Sequence, residues 1–428
     1  MIAKPEPAAR RSAAQSLRAY WALAGLLLGL TLGALFGERS ATVLSVASFI
    51  GILWLNALKM TVIPLVVALL IIGIAKSQEA AAAGRIAGRS VLWIVVICTM
   101  SSIFGAVAIL FLTRLFPLPA ETARGLQAAL SGVDKASAPV AGIADFFKGI
   151  VPDNVFAAAT NGDVLPLVVF AVLFALALAQ ISAKGRAAIV GLFEAVADAL
   201  LVIIGWVLAL APIGVLALAY SVGTAAGGAA FAGFGHYVLL ISVIGILVTL
   251  AAYPLAAVAG RVGFPRLSRA LIAPQAVAIS TRSSLASLPA MLAATRVLGL
   301  REQVADVTLP ISVALFRATG PAMNTAVAFY VAHWIGYEPS VPQMIAATAV
   351  GAVMSYGAVS LPGEVSFISS IAPIALALGV PIAPLGLLVA VEMVPDIFRT
   401  VGNVTHDVVL ATIVDRENKS APLILNAR

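Results

Sequence analysis

The chain has 428 residues, of which 61% are hydrophobic and only 11% are charged. An average soluble domain carries about 25% charged residues, so this composition excludes a water-soluble globular protein and predicts a polytopic membrane protein. The single cysteine, Cys98, excludes a disulfide-stapled secreted scaffold. The formal net charge of +7 does not indicate a nucleic-acid partner, because the basic residues fall in short loops between apolar runs.

The first two-thirds of the chain contains long apolar runs. A bilayer core of about 30 Å needs about 20 apolar residues in a helix. Runs of this kind cover 17–37, 44–75, 90–113, 164–182, 189–222 and 237–260. The first run follows three arginines and has no cleavage-site pattern after it, so we interpret it as a retained span rather than a signal peptide. A glycine stripe in this run predicts close contact with another helix. Its members are Gly25, Gly29, Gly33 and Gly37.

The distribution of basic residues predicts the orientation. If alternate loops are assigned to opposite sides, most of the 26 lysines and arginines fall on the side of the N-terminus. Because cytoplasmic loops are rich in these residues, we expect a multi-pass protein of the plasma (inner) membrane with both termini in the cytoplasm. Residues 1–16 and 416–428 are then cytoplasmic tails, and residues 17–415 form the integral membrane domain.

Two later segments are apolar but interrupted, at 267–297 and 346–380. The first contains an apolar stretch too short to span a bilayer, followed by the polar sequence STRSS at 280–284. The second is broken by SLPGE at 360–364. Paired interrupted segments are typical of transporter binding sites, so we predict two re-entrant hairpins whose tips, Ser284 and Pro362, lie close together. Kinked ordinary spans are the alternative.

The last apolar segment, 387–414, carries a stripe of polar residues. They are Glu392, Asp396, Arg399, Asn403 and Asp407. Spacings of four, three, four and four residues place all five on one face of a helix. Ionisable groups in a span are costly and face the protein interior or a water-filled path, so the stripe predicts a solute or ion pathway. A structural ladder of ion pairs is the alternative.

Residues 396–407 read DIFRTVGNVTHD, which resembles the D-M-G-R-T-x-x-N-V-T-G-D signature of the dicarboxylate/amino acid:cation symporters, the glutamate transporter family. Four other segments are similar to motifs of that family. They are TRSSLASLP at 281–289, LPG at 361–363, LKM with PLV at 58–66, and APIGV at 211–215. The resemblance runs from residue 17 to 418.

The resemblance implies an all-α polytopic fold of eight transmembrane helices and two re-entrant hairpins, assembled as a homotrimer that works as an elevator. The scaffold would consist mainly of transmembrane helices 1, 2, 4 and 5. The moving transport part would consist mainly of helices 3 and 6, hairpin 267–297, helix 303–334, hairpin 346–380 and helix 387–414.

The resemblance also implies a substrate site for a small anionic solute. Arg399 would bind the distal carboxylate of an acidic amino acid, and Asp396 would accept its ammonium group. The remaining family positions with a substrate role are Arg282, Ser283, Ser284, Thr400 and Asn403. Ser284 and neighbouring hairpin amides hold the α-carboxylate, which Asn403 also reaches. Thr400 lies beside the ammonium, and Arg282 pairs with the last helix. Mutual pairing of Arg399 with Asp396, without substrate, is the alternative.

The cation sites depart from the family pattern. The family's seventh helix reads N-M-D-G-T at its unwound centre, whereas this chain has FRATG at 316–320. We expect Arg317 to act as a built-in cation that faces Asp407, which with Asn403 matches a sodium site; an Arg317 turned toward solvent is the alternative. Two substitutions add titratable groups, Glu364 and His406. For His406, the alternative is a position at the protein surface. The other cation-coupling candidates are Ser312 and Glu392.

These features predict a secondary active symporter for an acidic amino acid such as glutamate or aspartate, with non-standard cation coupling. The coupling ion is sodium or a proton, and no other cofactor is expected. The alternatives are a symporter of C4-dicarboxylates or neutral amino acids, and a non-transporting anion channel or sensor. The sequence contains no nucleophile–base pair, metal cluster or phosphate loop, so an enzyme is not expected. The expected partners are the lipid bilayer and other copies of the chain, and not nucleic acid.

Overall fold

The computed structural model describes residues 8–37, 40–119, 123, 150–357 and 363–420. The described residues are helical, with connecting turns and no β-strand among them. In chain order the helices are α1 (Ala8–Phe36), α2 (Ala41–Ala82), α3 (Arg85–Leu115), α4 (Val155–Asn161), α5 (Val164–Leu178), α6 (Ala183–Ala209), α7 (Ala211–Ala226), α8 (Ala229–Leu255), α9 (Phe264–Thr281), α10 (Ser284–Val297), α11 (Glu302–Leu315), α12 (Thr319–Ile335), α13 (Val341–Gly357), α14 (Gly363–Leu378), α15 (Ala383–Leu388) and α16 (Met393–Ser420). A π-helical turn, Ala256–Gly260, follows α8.

Four of these elements are long and apolar enough to cross a membrane: α2, α3, α6, and α8 with its π-helical turn. Shorter apolar helices accompany them, at Tyr20–Phe36, Val164–Leu178, Ala211–Ala226, Val341–Tyr356 and Ser366–Leu378. The all-helical architecture with several apolar helices agrees with the predicted class of membrane protein.

Several helix boundaries differ from the predicted runs. The run 189–222 is two helices that meet at Leu210, because Pro212 has no N–H to bond the preceding turn and instead occupies the first turn of α7. Helix α4 lies outside the predicted apolar runs, and its first turn is capped by the side chain of Asn154. Helix α1 starts at residue 8 and α16 ends at residue 420, so both extend into the segments interpreted as tails.

The two interrupted segments form helix pairs. Helices α9 and α10 pack on each other and are joined by the tight turn at Arg282 and Ser283. Helices α13 and α14 also pack on each other, but residues 358–362 between them lie outside the described residues. Pro362 is among these, so its approach to Ser284 remains a prediction.

Helices α12 and α16 occupy the centre of the fold. Almost every residue of α12 is buried, and α16 is buried from Gly402 to Asp415. Helix α16 packs against α3 and α8 to α12, so its side chains between residues 402 and 415 are covered in every direction. The predicted helix 303–334 is divided into α11 and α12 by residues 316–318, where Phe316 has an extended backbone.

The glycine stripe of α1 packs against α7, as expected for helices in close contact. A Cβ atom at Gly29 would collide with the Leu216 carbonyl and the Ala219 methyl group, and one at Gly33 would collide with the Tyr220 carbonyl. The absence of side chains on this face therefore sets the distance between the two helices.

We predict that Gly29→Ala lowers the melting temperature in detergent, because overpacking of a tight contact costs about 1–3 kcal/mol. Gly191→Ala on α6 is the matched control, since its Cβ would enter open space. In a helix, alanine is more favourable than glycine by about 1 kcal/mol. Equal melting temperatures for the two variants would contradict the packing described here.

Candidate substrate and cation site

Helix α16 carries the polar stripe predicted from the sequence, but it begins later than expected. The predicted helix 387–414 is interrupted by a turn at 389–392, so Glu392 precedes α16 instead of lying within it. Pro395 explains the difference, because proline fits the first turn of a helix and would break a continuous one. The Asp396 amide nevertheless donates to the Glu392 carbonyl at 2.9 Å, which holds Glu392 in helical register with the stripe.

The guanidinium of Arg399 lies at the centre of the site. Its Nη2 donates to Oε1 of Glu392, and its Nη1 donates to Oδ1 of Asn324 at 2.5 Å. Its Nε is 3.9 Å from Oδ1 of Asp396. The Arg399 side chain is 13% exposed and that of Glu392 5%. A buried carboxylate needs partners for its charge, and Glu392 also accepts a hydrogen bond from the Tyr237 hydroxyl at 3.0 Å.

The turn between α9 and α10 brings a second arginine to the same place. Arg282 adopts a left-handed backbone conformation, which is unfavourable for a residue with a Cβ atom. This conformation ends α9 and leaves Nη1 of Arg282 3.7 Å from Oδ2 of Asp396. Asp396 therefore lies between two guanidinium groups, Arg282 and Arg399.

Ser283 and Ser284 form the start of α10 beside this arginine. The Ser283 hydroxyl accepts a hydrogen bond from the Ala286 amide at 3.2 Å and caps the helix. The N-terminus of a helix presents unpaired N–H groups and a partial positive charge, which suits a carboxylate. Thr400, by contrast, donates its hydroxyl to the Asp396 carbonyl within its own helix at 2.9 Å.

Asn403 connects α16 to the beginning of α12. Its Oδ1 accepts the Thr319 backbone N–H at 3.0 Å and lies 2.7 Å from the Thr319 hydroxyl oxygen, which is also 2.8 Å from the Arg399 carbonyl. The Nδ2 group of Asn403 is the hydrogen-bond donor of the same side chain.

Asp407 is fully buried one turn further along α16. Neither of its carboxylate oxygens has a hydrogen-bond partner among the described residues. The charge of Arg317, a half-buried residue between α11 and α12, acts on both Asp407 and Asp396. A dry carboxylate of this kind requires a positive charge nearby, and the Arg317 guanidinium is close enough for its charge to act on Asp407.

The remaining coupling candidates have different surroundings. The surface position considered for His406 is wrong: the residue is buried, its Nδ1 is 2.9 Å from the Gly402 carbonyl, and its ring meets Phe316 edge to face. Ser312 is buried and donates to the Thr308 carbonyl at 2.8 Å. Glu364 lies in α14, but its side chain is outside the part of the chain that is described.

Metal-binding side chains do not cluster in the described part of the chain. Among those residues no group of three or more histidines, cysteines or acids is arranged to hold a metal. The arrangement around α16 instead offers alternating basic and acidic groups, suited to a solute that carries both charges.

Comparison with known sequences decides the family. A sequence model of the sodium:dicarboxylate symporter family matches residues 22–417. The chain belongs to this family. It is therefore a transporter of the secondary symporter type and an integral membrane protein, and not an enzyme.

Individual symporters of the family align over nearly the whole chain. The chain is 27% identical over 405 residues to the proton/sodium-glutamate symport protein of Bacillus caldotenax, which covers 92% of each chain. It is 26% identical over 398 residues to the proton/glutamate-aspartate symporter of Escherichia coli strain K12, covering 91% of this chain and 89% of the relative. The C4-dicarboxylate transport protein of Laribacter hongkongensis is 26% identical over 370 residues, covering 84% and 81%.

Three residues at the centre of this symporter's site were not predicted from the sequence as site residues. Asn324 and Tyr237 contact the Arg399–Glu392 pair, and Thr319 contacts Asn403. Each comes from another helix and is far from α16 along the chain, so no spacing pattern connects them. The only local signal is a polar group inside an otherwise apolar helix.

We predict that Asn403→Ala lowers the melting temperature of the symporter, because the buried Thr319 N–H would lose its acceptor at a cost of about 1–3 kcal/mol. Asn161→Ala, at the exposed end of α4, is the control and should leave the melting temperature nearly unchanged. An unchanged melting temperature for Asn403→Ala would show that this contact does not hold the start of α12.

Proposed function

We propose that the protein takes up an acidic amino acid such as glutamate or aspartate. The observation that carries this proposal is the buried arrangement of Arg399 and Asp396, whose charged groups are 3.9 Å apart on one helix face. A planar guanidinium binds a carboxylate through two hydrogen bonds, and a carboxylate binds an ammonium group. The pair therefore supplies a partner for each end of such a substrate.

The helix pair α9–α10 supports the same assignment for the α-carboxylate. The start of α10, at Ser283 and Ser284, follows directly after Arg282, which contacts Asp396. In this proposal the α-carboxylate lies at this helix N-terminus and against the Nδ2 group of Asn403. Thr400, one residue after Arg399, lies beside the ammonium group.

The relatives carry names of both glutamate and C4-dicarboxylate transporters, and Asp396 favours the first group. A C4-dicarboxylate has no ammonium group, so its second carboxylate would approach the Asp396 carboxylate without compensation. This approach places two carboxylates side by side in a medium of low dielectric constant. A neutral amino acid would have no distal carboxylate for the Arg399 guanidinium, which would keep Glu392 as its partner.

The proposed architecture is that of an elevator transporter with eight spans and two re-entrant hairpins, assembled as a homotrimer in the inner membrane with both termini in the cytoplasm. Packing supports the proposed division, because α2 packs on α5, α6 and α7, and α1 packs on α7, while α16 packs on α3 and on α8 to α12. Helix α2 also packs on α3 and on the pair α13–α14, where the proposed scaffold and transport part meet.

Cation coupling in this proposal differs from a sodium-only scheme. Arg317 supplies near Asp407 a positive charge that sodium would otherwise supply, and a proton is the candidate driving ion. The proton carriers considered from the sequence are Glu364 and His406. Ser312, another cation-coupling candidate, lies on α11, the helix that precedes Arg317.

Transport into proteoliposomes tests the proposal directly. Labelled aspartate, glutamate and succinate would be offered with a proton gradient and a sodium gradient imposed separately. We expect concentrative uptake of an acidic amino acid with an inward proton gradient. Uptake of succinate alone would favour the C4-dicarboxylate alternative, and binding without uptake under any gradient would favour a sensor.

We predict that Arg399→Ala abolishes binding of aspartate and glutamate, because the distal carboxylate loses its charged partner at a cost of about 2–5 kcal/mol. Arg269→Ala is the matched control, since Arg269 is exposed on α9. Binding would be measured by calorimetry on the purified protein. Equal affinities for wild type and Arg399→Ala would remove Arg399 from the substrate site.

We predict that sodium changes the substrate affinity of the wild type only weakly. In Arg317→Met the buried Asp407 loses its positive neighbour, so substrate affinity should fall and added sodium should restore part of it. Affinities with and without sodium would be compared in both proteins. A rise of about 100-fold with sodium in the wild type, equivalent to about 2.7 kcal/mol of coupling, would contradict the role of Arg317.

A further inference from the structure

The guanidinium of Arg399 already has a partner at each of its nitrogens. Glu392 accepts from Nη2, Asn324 accepts from Nη1, and Asp396 lies beside Nε. A substrate carboxylate that binds through two parallel hydrogen bonds needs two adjacent nitrogens. Each such edge includes Nη2, which donates to Glu392, and one of them also includes Nε beside Asp396, so a substrate carboxylate competes with an acidic side chain when it enters.

The charges around the guanidinium indicate which side chain gives way. Arg282 and Arg399 balance Glu392 and Asp396, so the cluster is neutral as it stands. An acidic amino acid carries one ammonium and two carboxylates and adds one negative charge. Asp396 is needed for the ammonium group, which leaves Glu392 as the acid whose negative charge is in excess once the substrate is bound.

We infer that Glu392 is the exchangeable partner of Arg399 and that it takes up one proton when an acidic substrate binds. The substrate's distal carboxylate replaces Glu392 on the guanidinium, and a proton from water forms an O–H bond at the released Glu392 carboxylate. The cluster with its substrate is then neutral again. This inference rests on the proposed function and assigns its coupled proton to a described residue.

The surroundings of Glu392 can hold either form of the acid. From the start of α16, Arg399 and Asp396 face it, and the Tyr237 hydroxyl of α8 donates to its Oε2. The charged groups that act on these partners from other elements are Arg282, between α9 and α10, and Arg317, between α11 and α12. A neutral Glu392 keeps an oxygen that can accept the Tyr237 hydrogen bond, so protonation leaves no buried polar group without a partner.

Polar aromatic side chains pack around Tyr237, whose hydroxyl contacts Glu392. The ring of Tyr237 packs on that of Tyr330 with 5.4 Å between centroids, and the Tyr330 hydroxyl is 2.9 Å from Nδ1 of His236. His236 is half-buried and its Nε2 lies 2.8 Å from the Phe116 carbonyl, which directly follows α3. His236 and Tyr330 are therefore polar neighbours of Tyr237, the residue that contacts Glu392.

Calorimetry on the full-length protein tests the inference. Aspartate binding in two buffers of different ionisation enthalpy gives the number of protons taken up per substrate. We expect about one proton for the wild type and an apparent affinity that rises by up to about tenfold per unit fall in pH. Glu392→Gln removes the titratable group but keeps its size, so its proton uptake should be lost and its affinity should no longer follow pH.

Two further variants keep the outcome decisive. Glu338→Gln changes an exposed carboxylate in the loop before α13 and should retain the wild-type proton number. Tyr237→Phe keeps the ring but removes the hydroxyl that contacts Glu392, so the pH at which proton uptake occurs should shift even where Glu392→Gln does not fold. Proton uptake by Glu392→Gln, an unshifted profile in Tyr237→Phe, or substrate binding without proton uptake by the wild type would each overturn the inference. No binding of acidic amino acids to the wild type would instead refute the proposed function.

Discussion

The fold around α16 depends on one requirement, the compensation of the Arg399 charge inside a helical bundle. Glu392, Asp396 and Asn324 surround its guanidinium, and Tyr237 in turn supports Glu392. Removing one partner of a buried ion pair costs about 3–5 kcal/mol, so these residues form a unit in which no charge can be changed independently. A substrate that carries charge can enter only if it replaces one of these partners.

Contacts between α3, α12 and α16 fix the positions of the backbone and side chains around Arg399. Thr319 at the start of α12 contacts both the Asn403 side chain and the Arg399 carbonyl, and Ser101 of α3 donates to the Ala318 carbonyl just before it. The unwound residues 316–318 are therefore held on two sides, with Arg317 among them. In the proposed function this fixed positive charge takes the place of a bound sodium ion, from which it differs because it cannot leave.

The sequence predicted those parts of the site that depend on local spacing. The stripe from Asp396 to Asp407 follows helical periodicity, so its common face could be derived from the sequence and is observed. The contacts of Tyr237 and Asn324 could not be derived, because they depend on how α8 and α12 pack against α16. The alternative surface position of His406 was wrong for a related reason: the opposite side of a polar stripe is normally exposed, but α16 has neighbours all around it at this depth. Turns caused by Pro212 and Pro395 were also missed, since a proline in a first turn and one in a kinked helix look alike in a sequence.

The measurement that tests the account most directly is an experimental structure of the protein in a lipid nanodisc with aspartate bound. The account predicts the distal carboxylate on the Arg399 guanidinium in place of Glu392, with the ammonium group against Asp396. Aspartate bound away from α16, or bound beside an Arg399 that still pairs with Glu392, would contradict it.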